Sequence, residues 1–111
     1  MQSLSVNGKT VDLDKNGYLL HSGEWDESVA LAFAQREKID LSDKHWLVIR
    51  FVREFYERYD TSPAIRALVK ALKEKYGEEI GNSRYLHRLF PDGPAKLASK
   101  LAGLPRPAKC L

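Results

Sequence analysis

Leu41-Ser-Asp-Lys-His-Trp-Leu-Val-Ile-Arg50-Phe-Val-Arg-Glu-Phe-Tyr-Glu-Arg-Tyr59 is the stretch that decides the fold. Ser42 stands where a helix cap is needed, Asp43 suits the positive end of a helix, and Leu41 is placed to staple onto Trp46. A helix over 43–59 follows. Trp46, Ile49, Val52, Phe55, Tyr56 and Tyr59 recur at helical spacing, and Val48 and Phe51 broaden their face. So wide an apolar surface predicts the most buried helix, the central element of the core.

On its N-terminal side, Trp25-Asp26-Glu27 opens an earlier helix with Asp26 as N-cap and Val29, Ala30, Phe33 and Ala34 as its apolar stripe. That helix ends near Lys38-Ile39-Asp40. Before it, Leu4-Ser-Val-Asn-Gly-Lys-Thr-Val-Asp-Leu13 reads as a β-hairpin turning at Asn7-Gly8, with Val6, Val11 and Leu13 inward. A lone hairpin is marginal in water, so it must lean on the helices. Asn16-Gly17 marks another turn, after which Tyr18, Leu19 and Leu20 are expected to anchor the chain to the core.

On its C-terminal side, Asp60-Thr-Ser-Pro63 breaks the chain. Thr61 or Ser62 is expected to cap a helix over 63–76 with the proline in its first turn. Ile65, Leu68, Val69 and Leu72 form one face, closed by Tyr76, and Gly77 stops it. Asn82-Ser83 caps a short helix over 84–90. Asp92-Gly93-Pro94 turns the chain into a last helix over 95–101, which stops at Gly103. The expected class is α+β, mostly α: an N-terminal hairpin packed on an orthogonal bundle of about five helices. A single domain over 1–103 is followed by a flexible arm over 104–111.

Length and composition agree with one core. The chain has 111 residues, 43% hydrophobic and 30% charged. No apolar run approaches a membrane span, and the start, Met1-Gln-Ser-Leu-Ser, has no secretory pattern, so a soluble cytoplasmic protein is expected. Net charge is only +3. Its distribution is more informative: from residue 96 onward stand Lys96, Lys100, Arg106 and Lys109 with no acidic side chain. That end is either a solvated basic tail or a docking surface for an acidic partner or RNA.

The helices over 63–76 and 84–90 are spaced like a helix-turn-helix, and Arg84, Tyr85, His87 and Arg88 are residue types that contact phosphate and bases. Glu78 and Glu79 between them repel phosphate, and the second helix is short for a major groove. His21, His45 and His87 show no metal-ligand spacing and suit surface or cap positions. No phosphate loop, nucleophile elbow or carboxylate pair is present. No cofactor or metal is called for.

Cys110 is the single cysteine. It follows Pro105 and Pro107 on a segment of seven residues from Leu104, with an extended reach of about 20 Å at roughly 3 Å per residue. A thiol works as a nucleophile when ionised. Lys109 and Arg106 favour that form, and the terminal carboxylate opposes it. A thiol on a stiff leash suits passing a group between deep active sites.

Asn82-Ser-Arg-Tyr-Leu-His-Arg-Leu-Phe-Pro91, Gly93-Pro-Ala-Lys96 and Ala102-Gly-Leu-Pro-Arg-Pro-Ala-Lys-Cys110 together resemble the DsrC/TusE family of small sulfur carriers. Thr61-Ser-Pro-Ala-Ile-Arg66, Asn16-Gly17-Tyr18, Trp25 and His45-Trp46 add to the resemblance, which runs from about residue 4 to the end. It implies a mostly helical fold with an N-terminal hairpin and a mobile arm, and a cysteine persulfide on Cys110. The DsrC branch carries a second arm cysteine eleven residues earlier, where this chain has Ser99. Serine cannot close the disulfide of the sulfite-reductase cycle. The one-cysteine form is similar to the TusE-like branch, which implies a relay from a TusBCD-like donor complex to an MnmA-like tRNA 2-thiouridylase. Arg106, Lys109 and Lys100 are then candidates for steadying the persulfide or docking the arm, and Arg84 and Arg88 for partner docking. The rival expectations are a sulfite-reductase partner subunit and a helix-turn-helix nucleic-acid binder.

Overall fold

A computed structural model describes residues 2–107. Strands β1 (Gln2–Val6) and β2 (Lys9–Leu13) pair antiparallel, with Val6 opposite Lys9 and Leu4 opposite Val11. The two residues left at the turn, Asn7 (φ 48°) and Gly8 (φ 80°), both have the positive φ that a type I′ turn requires. Leu4, Val6, Val11 and Leu13 point inward. The Asn7 side chain donates to Ser28 Oγ at 2.9 Å and ties the hairpin to the first helix.

Next, Asp14 Oδ1 accepts from the backbone N–H of Asn16 (2.8 Å) and Tyr18 (3.0 Å). This folds the loop so that Tyr18 and Leu19 are buried. Leu20 departs from expectation: Leu19 bridges to Leu13, and the next side chain falls on the opposite face, 44% exposed.

After a 3₁₀ turn at Ser22–Glu24 come five helices: α1 (Glu27–Glu37), α2 (Asp43–Tyr59), α3 (Ile65–Tyr76), α4 (Ser83–Leu89) and α5 (Pro94–Leu101). Asp26 caps α1 by accepting from Val29 N–H. Ser42 and His45 form a reciprocal cap on α2. Asn82 caps α4 by accepting from the N–H of Arg84 and Tyr85. Pro94 occupies the first turn of α5, where a missing N–H costs nothing.

The centre of the core is α5, not α2. Six of the eight α5 residues are buried: Pro94, Ala95, Leu97, Ala98, Ser99 and Leu101. It packs against α1, α2, α3 and α4, whereas α2 buries only His45, Val48, Ile49 and Val52 of seventeen residues. The physical reason is side-chain size. Ala95, Ala98 and Ser99 let four helices approach one short rod, while the aromatic face of α2 is wider than any one neighbour covers. Tyr59 consequently stands 57% exposed.

The start of α3 also differs from expectation. The helix begins at Ile65 behind Ala64, which makes no side-chain cap, so Pro63 precedes it and neither Thr61 nor Ser62 caps it. At its other end Tyr76 is 39% exposed and meets Phe51 edge-on instead of closing the core. The connection to α4 lies tight on α3. A β-carbon on Gly81 would overlap the backbone of Lys73.

Candidate functional site

Every helix leaves its last carbonyls without partners. Here those of α5 are taken by side chains from elsewhere in the chain. Trp25 Nε1 donates to the Leu101 carbonyl at 2.7 Å. Arg53 Nη1 donates to the Ala102 carbonyl at 2.6 Å, and its guanidinium lies 4.1 Å from the Trp25 ring centre. A cation at the negative end of a helix is favourable. Burial pushes the Arg53 guanidinium below its ordinary value, and the charge of Glu57 works against that shift.

Gly103 then turns the chain at φ 70°, with Trp25 filling the space a β-carbon would need. Leu104 is 2% exposed, and its N–H donates to the Ser99 carbonyl at 3.0 Å. Ser62 Oγ donates to the Pro105 carbonyl at 2.6 Å. Arg106 Nη1 reaches Asn16 Oδ1 at 3.4 Å, and Pro107 is buried. Residues 104–107, counted with the arm in the sequence, thus lie against the body.

Beside this tail root is a cleft of about 310 Å³ lined by Asn16, Tyr18, Glu37, Asp92, Lys96, Leu97, Lys100 and Arg106. A neighbouring hollow of about 290 Å³ shares Asn16, Glu37 and Lys100 and adds Arg36. Lys100 is half-buried. Its ammonium pairs with Glu37 at 3.5 Å and lies 5.2 Å from the Tyr18 ring centre. The Tyr18 hydroxyl donates to the Lys96 carbonyl at 3.4 Å. The cleft mixes cations from α5 and the tail with two carboxylates, so it suits an anion that is exchanged more than one held permanently.

The structure therefore brings Lys100 and Arg106 to one cleft. Arg84 and Arg88 are exposed on α4 and do not line it. Cys110 and Lys109 lie outside the described residues. Among the described residues no group of three His, Cys, Asp or Glu side chains is arranged for a metal, and no helix is long and apolar enough to cross a membrane. His45 is a buried cap histidine. Its Nδ1 accepts from Ser42 N–H at 3.0 Å, which leaves Nε2 to donate to the Leu89 carbonyl at 2.7 Å.

Sequence reasoning missed Arg53 and Ser62. Arg53 carried a signal, since it falls at i+4 from Ile49 on the apolar stripe of α2, where a charge needs a partner. Ser62 carried none, because its place before Pro63 reads as a cap. Ser99 is fully buried in α5, with no partner for its hydroxyl among the described residues.

A protein-family model described as DsrC like protein matches residues 5–111. The chain is 65% identical over 108 residues to a protein of Haemophilus influenzae called Sulfurtransferase TusE homolog, covering 97% of this chain and 99% of that one. It is 58% identical to Sulfurtransferase TusE of Photorhabdus laumondii over the whole of both chains. Among solved structures, it resembles the NMR structure of Allochromatium vinosum DsrC with a TM-score of 0.89 at 44% identity, covering 99% of this chain and 98% of the other. It also resembles the oxidised gamma-subunit of the dissimilatory sulfite reductase (DsrC) from Archaeoglobus fulgidus, with a TM-score of 0.85 at 40% identity over 99% and 100% of the two chains.

Proposed function

The chain belongs to the DsrC-like protein family, and from that premise we propose that it is a sulfur-relay carrier in tRNA thiolation, working in the cytoplasm. The observation that carries this reading is the single cysteine, Cys110, in a chain matched end to end by proteins called Sulfurtransferase TusE. The Cys110 thiolate attacks the outer sulfur of a donor persulfide. The donor's S–S bond breaks, the donor leaves as a thiolate, and Cys110 holds the sulfur as a persulfide. An acceptor thiolate then attacks that outer sulfur and releases the Cys110 thiolate. Each step exchanges one S–S bond for another, so no external oxidant or reductant and no second cysteine is needed. The donor is a TusBCD-like complex and the acceptor an MnmA-like tRNA 2-thiouridylase, which thiolates the wobble uridine. Lys100, Arg106 and Lys109 steady the anionic persulfide or dock the arm. Arg84 and Arg88, exposed on α4, meet a partner.

The protein is to be incubated with a cysteine desulfurase, the upstream carriers and cysteine, then weighed intact. The expected result is an adduct of about 32 Da, one added sulfur atom, on the wild type and none on Cys110→Ser. No adduct on the wild type overturns the proposal.

A second reading is favoured by the likeness to the sulfite-reductase gamma-subunit. It makes this chain a partner of such an enzyme, and co-purification with it would support that reading. Ser99 weighs against it, since a buried serine offers no second sulfur for an arm disulfide.

A further inference from the structure

Trp25 and Arg53 satisfy carbonyls at the end of α5, as any helix end requires. Ser62 does something different. Pro105 lies four residues beyond the helix and is exposed, so water could serve its carbonyl. Ser62 stands just before α3, where a serine ordinarily caps, yet α3 starts on Ala64 with no side-chain cap. Its hydroxyl donates to the tail instead, at 2.6 Å. On either side of that bond the chain is held by the burial of Leu104 and Pro107.

We propose that Ser62 is a positioning residue of the relay: by pinning the Pro105 carbonyl it fixes the point from which the chain delivers Cys110. This rests on the sulfur-carrier reading. Three residues separate Pro107 from Cys110 and span at most about 10 Å; six separate Leu104 from it and span about 20 Å. The volume a tethered thiol can search grows with the cube of its leash. Releasing the chain back to Leu104 therefore dilutes the thiol at a docked acceptor by up to about eightfold. Ser62 acts through Pro105 and not on the sulfur, so the thiol's intrinsic reactivity stays the same.

Ser62→Ala removes the donor, and Ser62→Thr keeps a hydroxyl. Because Cys110 is the single cysteine, a nitroxide can be placed there alone in the full chain and its line-broadening of backbone amides mapped by NMR. A confined set of broadened amides is expected for wild type and Ser62→Thr, and a wider, weaker set for Ser62→Ala. Identical maps in all three overturn the proposal. In parallel, sulfur handover from the persulfide form to the tRNA 2-thiouridylase should show KM rising about three- to eightfold for Ser62→Ala with kcat little changed. Alkylation of Cys110 by iodoacetamide should keep its rate. Unchanged KM, or alkylation falling in step with transfer, also overturns it. Inserting two glycines after Pro107 lengthens the leash without touching Ser62 and should raise KM similarly, which keeps the test decisive if Ser62→Ala fails to fold. If the wild type takes up no sulfur, the carrier reading fails, and the nitroxide maps still decide whether Ser62 pins the tail.

Discussion

At Gly103 the backbone turns left-handed at φ 70°, and the Trp25 ring occupies the place of a β-carbon. Either condition disfavours a side chain, and together they make this the least replaceable residue at the tail root. Gly103→Ala should cost on the order of 2–3 kcal/mol, left-handed strain plus displacement of a packed indole. A urea titration read by Trp fluorescence checks this; an unchanged midpoint would mean that Trp25 moves freely. The same indole holds the Leu101 carbonyl and supports Arg53, so moving it disturbs three contacts that share a neighbourhood. The sequence showed Gly103 only as a helix stop and could not show Trp25 beside it, because the two are far apart along the chain.

Among the elements, α2 and α4 are joined by one imidazole. His45 sits at the third position of α2, where a capping box usually has Glu or Gln, and its far nitrogen holds the Leu89 carbonyl at the end of α4. The ring also meets Phe90 edge-on, with centroids 5.1 Å apart. His45→Ala strips one helix of its cap partner and strands a carbonyl of the other, at an expected cost of about 2–3 kcal/mol. His45→Gln restores the usual capping box and should cost about half as much. Amide exchange at Ser42, measured by NMR, separates the two: it should quicken in His45→Ala and stay slow in His45→Gln. At the other end of α2, the aromatic face opens into a groove of about 360 Å³ lined by Phe51, Phe55, Tyr59, Ala71 and charged neighbours, bridged by the 3.2 Å pair of Lys75 with Glu54. The hydrogen bond to Glu54 pushes the Lys75 ammonium above its ordinary value.

For the whole molecule, the tail root is part of the packing. Leu104 is buried among the core residues, and Pro105 is bonded to Ser62. A chain ended after residue 103 should therefore be less stable than one ended after residue 107 by about 3 kcal/mol. Burial of a leucine supplies about 2 of these, and a hydrogen bond about 1. Thermal unfolding of the two chains checks this, and equal melting temperatures would show that residues 104–107 add nothing to the body. The cleft beside the root gathers Asn16 from the loop after β2, Glu37 from α1, Lys96 and Lys100 from α5, and Arg106 from the tail. Those residues are spread over ninety positions and meet only because α5 lies at the centre.

The sequence by itself determined the local structure and the chemistry. Asn7-Gly8 set the hairpin, since both residues tolerate positive φ. Asp26, Ser42 and Asn82 set three helix starts, since each offers an oxygen to unpaired N–H groups a few residues on. One cysteine set the reactive atom. Only the tertiary structure decided which helix is central, because burial depends on how many neighbours can approach, and the small residues of α5 admit four where the large ones of α2 do not. It alone decided the role of Ser62, whose hydroxyl has two acceptable uses within a few ångströms. Local spacing describes the first, a cap on α3; the second depends on a carbonyl forty-three residues away that folding brings to it.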